Sequence, residues 1–185
     1  VTWGNGTTGI TGVVKMSNSL VGSAMNDGVG KGGIVPLTNG NYVVVSPEGS
    51  DNFGAVTWGN GTMGISGEVT MSNSLVGTTA NNGVGSGGIT PLTNGNYVVA
   101  SPNWSNAFGA VTWGNGITGI SGEVTASNSL VGSNMNDEVG FGGITALING
   151  NYVVGSSRWI DSNGVSVGAV TWGNGMGGTI GSVDV

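Results

Sequence analysis

One phrase of six residues recurs four times in this chain, and its spacing constrains the fold more than any other feature. Val-Thr-Trp-Gly-Asn-Gly begins at residues 1, 56, 111 and 170, so that successive Trp residues of the phrase are 55, 55 and 59 positions apart. Residues 1–55 and 56–110 are identical at 40 of 55 aligned positions. A period of this length predicts a supersecondary unit repeated along the chain. We therefore predict one repeat domain over residues 1–185, with units at about 1–55, 56–110 and 111–169 and a closing segment at 170–185.

The residues inside each unit favour β-strands over helices. Gly accounts for 40 of the 185 residues and interrupts every window long enough for a helix. Short runs rich in β-branched and aromatic residues, which strands prefer, recur between the glycines. We therefore predict an all-β chain with four such runs in each unit. In the second and third units these runs, A to D, are Ile89-Thr90-Pro91-Leu92, Asn96-Tyr97-Val98-Val99-Ala100, Ala110-Val111-Thr112-Trp113, and Gly122-Glu123-Val124-Thr125 continuing to Leu130-Val131.

Asn-Gly pairs indicate how the runs pair with one another. Asn94-Gly95 lies between runs A and B, and Asn115-Gly116 lies between runs C and D. Asn-Gly favours the positive φ angles of the tightest hairpins. Each unit is therefore predicted to form two hairpins, A–B and C–D, which together make a four-stranded antiparallel blade. Ser46-Pro47 and Ser101-Pro102 follow run B, where the proline would end the strand because it cannot donate to the ladder.

Blades with apolar residues on both faces are typical of β-propellers, in which each blade packs between two others. The chain has four C runs but three A–B hairpins, so we predict a propeller-like array of three repeats plus an extra half-blade. Two such chains would supply seven blades, and we predict a homodimer that completes this ring. A three-fold β-prism is the alternative fold. The repeated aromatic residues are expected to form the core: Trp3, Trp58, Trp113, Trp172, Tyr42, Tyr97 and Tyr152.

Several strings resemble known repeat families. The segments 92–102 (LTNGNYVVASP) and 108–116 (FGAVTWGNG) resemble repeats of large bacterial, especially cyanobacterial, surface proteins of the filamentous-haemagglutinin-like type. This resemblance covers essentially the whole chain but implies no particular activity. A weaker similarity is to the FG-GAP repeats of integrin-type β-propellers, whose calcium loops are rich in Asp. The corresponding stretch here, 93–96 (TNGN), has no carboxylate of the kind that calcium prefers, so we do not expect that metal site.

The composition argues against catalysis and against several classes of partner. The chain has no His and no Cys, so it lacks an imidazole base and a thiol nucleophile. Only Lys15, Lys31 and Arg158 are basic and the net charge is −6, whereas nucleic-acid phosphates require clustered Lys and Arg. No apolar run approaches the ~20 residues of a membrane-spanning helix. We predict no enzyme activity, no cofactor, no nucleic-acid partner and no membrane insertion.

The few carboxylates form no repeated acid–base set. Glu68 and Glu123 are equivalent in successive units and are expected to lie in different blades, too far apart to act as a glycosidase pair. Asp27 and Asp137 are also equivalent to each other, but the second unit has Asn82 at this position. We therefore predict no metal site, and a cation held by Asp27 or Asp137 is the alternative.

The loops between runs B and C differ most among the units. They read PEGSDN at 47–52, PNWSNA at 102–107 and SRWIDSNGVS at 157–166. Aromatic and polar residues on the loops of a rigid scaffold are suited to recognition. We predict a non-enzymatic, extracellular or cell-surface binding module of adhesin or lectin type with a glycan ligand; the alternative is a structural, self-assembling element of a coat or fibre. The candidate ligand-binding residues are Trp104, Trp159, Asn103, Asp161 and Arg158.

Overall fold

The computed structural model describes residues 1–184, apart from the side chains of Ser50 and Asp51, and this part of the chain is nearly all-β. The helical turns are α1 (Gly49–Asn52) and α2 (Trp104–Ala107). The strands are β1 (Leu20–Val21), β2 (Ile34–Pro36), β3 (Tyr42–Ser46), β4 (Ala55–Gly59), β5 (Gly67–Glu68), β6 (Ser74–Val76), β7 (Gly88–Pro91), β8 (Tyr97–Ser101), β9 (Ala110–Gly114), β10 (Gly122–Glu123), β11 (Ser129–Val131), β12 (Ile144–Ala146), β13 (Tyr152–Ser156), β14 (Ala169–Gly173) and β15 (Gly181–Ser182).

Successive repeats build successive antiparallel sheets. The first sheet has the order β2-β3-β4-β6, the second β7-β8-β9-β11, and the third β12-β13-β14. Strands β3 and β8 end at Ser46 and Ser101, directly before the prolines, as predicted. The all-β tandem-repeat architecture is therefore confirmed. In each sheet the Tyr that opens run B lies opposite the Gly that follows the Trp of run C: Tyr42 and Gly59, Tyr97 and Gly114, Tyr152 and Gly173.

The A–B hairpins form as predicted, but their turns have three residues rather than two. In the second sheet, Leu92 N–H donates to Asn96 O at 2.8 Å across the turn. Gly95 has a positive φ of 89°. The side-chain oxygen of Asn94 accepts the Asn96 N–H at 3.1 Å. This is a hairpin that ends with glycine in the left-handed region. The glycine is required by its φ, and the Asn before it is required by its side-chain oxygen.

The predicted C–D hairpin is wrong, and the actual path of the chain connects neighbouring repeats. The chain turns at Asn115-Gly116, where Gly119 N–H donates to Asn115 O at 2.8 Å, but it does not pair back onto β9 there. It continues to β10, which pairs in parallel with β6 of the preceding sheet. The chain then turns again and returns as β11, which pairs antiparallel with β9. Run D is therefore divided between two sheets.

The strands β5, β10 and β15, which we call the crossing strands, repeat this exchange along the chain. They pair in parallel with β1, β6 and β11, respectively. Asn73 and Asn128 hold two of them by donating from Nδ2 to the carbonyl oxygens of Glu68 and Glu123, each at 2.8 Å. Each repeat thus adds an edge strand to the sheet before it, so that neighbouring sheets are joined by backbone hydrogen bonds as well as by packing.

The sheets stack on one another, and side chains of the second sheet alternate between two hydrophobic cores. Val99 belongs to the core shared with the first sheet, which includes Val56. The adjacent Val98 belongs to the core shared with the third sheet, which includes Tyr152. This two-sided burial agrees with a blade packed between two neighbours. The closure of such a stack into a propeller ring, alone or as a seven-bladed homodimer, stays a prediction, as does the β-prism alternative.

The aromatic residues predicted for the core lie at different depths in the structure. Tyr97 and Tyr152 are fully buried, and Tyr42, Trp3, Trp58 and Trp113 are half-buried between sheets. Trp172 differs, because 55% of its surface is exposed on the open face of the third sheet. A Cβ atom added at Gly114 would lie 2.2 Å from the Tyr97 ring. The glycine opposite each buried Tyr is therefore needed to make room for the ring.

Stability should decrease at alkaline pH because these tyrosines are buried. Burial raises the pKa of Tyr97 above its ordinary value of 10.0, and it likewise raises the pKa values of Tyr42 and Tyr152. Above about pH 10 the unfolded chain ionises while the folded chain keeps its phenols neutral, so the free energy of unfolding falls. Urea denaturation at about pH 8 and about pH 11 should show this decrease. It should be smaller in Tyr97→Phe, and an equal decrease in that variant would contradict the assignment.

Candidate functional site: the contact between stacked sheets

A single backbone carbonyl lies at the centre of each contact between stacked sheets. Gly116 O, in the turn after β9, accepts three hydrogen bonds from the first sheet. The donors are Asn39 Nδ2 at 2.7 Å, Asn41 Nδ2 at 2.8 Å and Trp58 Nε1 at 3.1 Å. Two side-chain amides and one indole thus converge on one oxygen. We call this arrangement the glycine carbonyl site.

The same site is built again one repeat further along the chain. Gly175 O accepts from Asn94 Nδ2 at 2.9 Å, from Asn96 Nδ2 at 2.9 Å and from Trp113 Nε1 at 3.0 Å. At the start of the chain Trp3 Nε1 donates to Gly61 O at 3.1 Å. The contact between sheets is therefore a repeated unit in its own right, made from the same residue types each time.

The second Asn of each A–B turn connects its own sheet to the next one. The Asn96 side-chain oxygen accepts the Gly116 N–H at 3.0 Å within the second sheet, while its amide nitrogen donates to Gly175 O in the third. Asn41 makes the equivalent pair of bonds with Gly61 N–H and Gly116 O. An amide side chain can do this because it carries a donor and an acceptor at once. The Asn-Gly-Asn sequence is therefore a contact element as well as a turn.

Trp3, Trp58 and Trp113 of the repeated phrase each pack against a glycine of the following repeat, Gly64, Gly119 and Gly178, respectively. A Cβ atom added at Gly119 would lie 2.7 Å from Trp58 Cβ, and one added at Gly178 would lie 2.8 Å from Trp113 Cβ. Both glycines also have positive φ angles, of 75° and 79°. These positions therefore require glycine for two reasons, which are the backbone conformation and the close approach of the indole.

The predicted loop tryptophans do not present free rings. Trp159 is only 7% exposed and donates from Nε1 to Val183 O at 3.1 Å. Trp104 is half-buried and packs against the core between the first and second sheets. The two residues occupy equivalent places in consecutive repeats, so the structure does not bring them into one site. Trp159 has no open face on which a sugar ring could stack.

The polar loop candidates are engaged within the protein. The Arg158 guanidinium donates to both carboxylate oxygens of Glu138, at 2.6 and 2.7 Å, and lies 3.9 Å from the centre of the Phe141 ring. The Asp161 carboxylate accepts the backbone N–H groups of Val165 and Asn163, each at 2.9 Å, and these bonds, with the Asn163 side chain, lower its pKa. Asp161 therefore holds the turn of its own loop. The predicted site residue Asn103 is exposed at the start of α2.

The acidic position at Asp137 joins two loops. Its carboxylate is buried and accepts N–H groups from Ser133 at 2.9 Å, Asn134 at 2.8 Å and Ile160 at 2.9 Å. Asn82 accepts from the backbone of Ser105 at 3.1 Å in the second repeat, so an amide oxygen replaces the carboxylate there. Within the described residues, no three His, Cys, Asp or Glu side chains lie close enough together to hold a metal ion.

Sequence reasoning missed the asparagine donors of the glycine carbonyl site. The Asn-Gly pattern predicts turns, which these asparagines do form. The predicted binding residues lie instead on the exposed B–C loops. A signal was available, because Asn-Gly-Asn recurs at 39–41, 94–96 and 149–151 although the turn needs only the first Asn and the Gly. The repeated second Asn indicates a contact beyond the hairpin.

These features define an all-β tandem-repeat protein whose sheets are stacked and joined by exchanged strands. The chain belongs to the family described as "Repeat of unknown function (DUF5650)", whose model matches residues 1–31, 36–86, 91–141 and 146–185. The matches at 36–86 and 91–141 each run from the end of an A strand through the fourth strand of the same sheet. No curated protein matches the chain. The similarity to haemagglutinin-like and FG-GAP repeats stays a prediction. Across residues 1–184, no helix has the length and apolar character needed to cross a bilayer.

Proposed function

We propose that this protein is a structural, non-enzymatic repeat element that associates with copies of itself, head to tail, through the two ends of its stack. The observation that carries the proposal is the open face of the third sheet. Asn149, Asn151 and Trp172 lie there at the positions that Asn94, Asn96 and Trp113 occupy in the second sheet. The end of the stack thus carries the three donor types of a glycine carbonyl site.

The same face exposes apolar surface that is buried elsewhere in the stack. Val170 is 78% exposed, whereas its counterparts Val56 and Val111 are both 0% exposed. Trp172, two positions further along β14, and Ile148, in the turn between β12 and β13, are also exposed. Contiguous exposed apolar surface on a soluble protein commonly marks an interaction site. A matching partner would remove these side chains from water, as the next sheet does inside the chain.

The other end of the stack offers the complementary groups. Gly6 is the counterpart of Gly61, Gly116 and Gly175, and it is exposed in the first repeat. Val13 and Val14, the counterparts of the last crossing-strand residue and of the residue after it, are also exposed. A second copy can therefore supply the carbonyl that the first copy's donors lack. A head-to-tail contact of this kind repeats into a filament or closes into a ring, depending on the rotation between copies.

Asn149→Asp should weaken self-association while leaving the fold intact. The carboxylate still accepts the Asn151 N–H, as the Asn149 oxygen does at 3.1 Å, but it replaces the outward amide donor with a negative oxygen. That oxygen would face the partner's carbonyl and repel it. Sedimentation velocity over a range of concentrations should show oligomers of the native chain and mainly monomer for Asn149→Asp.

Asn94→Asp is the matched variant at an internal glycine carbonyl site. It removes the donor to Gly175 O within the chain, so we expect a loss of about 1–3 kcal/mol in the free energy of unfolding. The native chain sedimenting as a monomer at every concentration would overturn the proposal. A single dimer of fixed mass would support the closed, two-copy form of this head-to-tail contact over the filament.

A binding role for the B–C loops is the second candidate, and the third loop favours it. This loop is longer than the others by four residues, and residues 162–167 are all exposed. We propose an adhesin- or lectin-like surface contact there with glycan as the ligand, in which Arg158 and Asp161 provide polar groups on a rigid scaffold, and Asn103 is the candidate in the loop of the second repeat. A glycan array tests this role, and no signal above background would reject it. The low content of charged residues, 6%, supports a cell-surface or extracellular setting for both functions.

A further inference from the structure

The B–C loops of the second and third repeats insert a Trp ring into the same pocket of their sheets. Trp104 and Trp159 are 55 positions apart and stand at equivalent positions of their repeats. The Trp159 ring packs in the core with Val183 and donates its N–H to the Val183 carbonyl. The Trp104 ring packs against the core that contains Val124 and Val131. The pocket in these repeats is therefore shaped by an indole.

The first repeat has the same pocket without the ring. Gly49 stands where the other repeats have Trp, and a cavity of about 210 Å³ lies beside it. Its walls include Ala55, Val69 and Val76, which are the counterparts of Ala110, Val124 and Val131 around Trp104. The repeat has kept the walls of the pocket but has no side chain at position 49 that could fill it.

The lining selects for an apolar, planar group. Val29, Phe53 and Met71 complete the apolar walls. Asp27 also lines the cavity, and its carboxylate accepts the backbone N–H groups of Ser23 and Ala24 at 2.6 and 2.8 Å. Dry apolar cavities of roughly 150 Å³ hold benzene, so the larger volume here has room for a fused bicyclic ring.

We propose that this cavity, which we call the Gly49 pocket, binds an indole ring supplied from outside the chain. The ring would lie where Trp104 and Trp159 lie in their repeats, and its N–H would donate to Val69 O, the counterpart of Val183 O. Burial of the ring supplies the free energy of binding, and the single N–H sets its orientation. This inference is independent of the self-association proposed above.

Titration with free indole and, separately, with N-acetyl-tryptophanamide tests the proposal on the intact chain. Amide NMR spectra should show saturable shifts at Ala55, Val69 and Val76. Binding of indole alone assigns the pocket to a free small molecule, whereas binding of both assigns it to a Trp side chain of a peptide as well. The absence of saturable shifts with either compound would overturn the proposal.

Three variants separate this pocket from binding elsewhere. Gly49→Trp fills the pocket from within, so it should lose binding and melt at a higher temperature. Gly49→Ala should keep binding, because its added Cβ atom would have its nearest contact at 3.6 Å, with Asp27 O. Trp104→Gly should create a second pocket and raise the stoichiometry to two. Unchanged binding in Gly49→Trp contradicts the proposal; if that variant does not fold, the Trp104→Gly stoichiometry decides the question, and a value that stays at one contradicts it.

Discussion

Replacing Gly116 with Ala should strongly destabilise the protein, whereas the same replacement at Gly6 should have no effect on stability. A Cβ atom added at Gly116 would lie 1.7 Å from the carbonyl oxygen of Gly95, whereas one added at Gly6 would have no atom within 4 Å. Neither residue has a positive φ, so the backbone itself accepts alanine at both positions. The difference between the two variants is therefore the clash alone. We expect Gly116→Ala to lose about 4 kcal/mol or more, a large fraction of the about 5–15 kcal/mol that stabilises a typical domain.

Circular dichroism during thermal denaturation measures both variants. Gly6→Ala is a close control, because Gly6 lies in the same six-residue phrase and keeps its carbonyl group after the change. Similar melting temperatures for the two variants would show that the A–B turn does not lie against Gly116 in the way the structure places it.

Trp58→Ala should cost about 3 kcal/mol, and Trp172→Ala should cost much less. Trp58 is half-buried between the first and second sheets, packs against Gly119 and donates to Gly116 O. Its removal leaves a cavity and takes away one of the three donors to Gly116 O, and Trp→Ala changes in cores typically cost about 3–5 kcal/mol. Trp172 belongs to the same repeated phrase but is 55% exposed.

Urea denaturation at a dilution where the chain is monomeric compares these two variants directly. Trp172→Ala should stay within about 1 kcal/mol of the native chain there, since it leaves little buried surface behind. At higher concentration it should also reduce self-association, because the same indole is proposed to contact the next copy. Equal losses of stability in the two variants would contradict the asymmetry between the inside of the stack and its end.

The features that were predictable from the sequence are local ones. The A–B hairpin depends on residues within a few positions of Asn94-Gly95, and the end of run B depends on the proline that follows Ser101. The predicted C–D hairpin is wrong because the chain that follows Asn115-Gly116 pairs, as β10, with β6 of the preceding sheet. Nothing near that turn in the sequence distinguishes a strand that returns to its own sheet from one that crosses to another.

The residues of the candidate sites also differ in how far the sequence could predict their contacts. Trp159 and Trp58 both appear in the sequence as single aromatic residues among Gly, Ser and Asn, yet the first is buried in a pocket of its own sheet and the second reaches the next sheet. The glycine carbonyl site joins residues that are 58 to 81 positions apart. Periodicity shows that such contacts recur, but it does not show which atoms meet.

The sequence by itself determined the 55-residue period, the strand content and the A–B hairpins, because each of these depends on residue types and neighbours within one unit. Only the tertiary structure decided where the crossing strands pair, which carbonyl the Asn and Trp side chains share, and that a cavity lies beside Gly49. The physical reason is that a two-residue strand containing glycine carries too little pattern to specify a partner. Its position is set instead by the stacking of whole sheets.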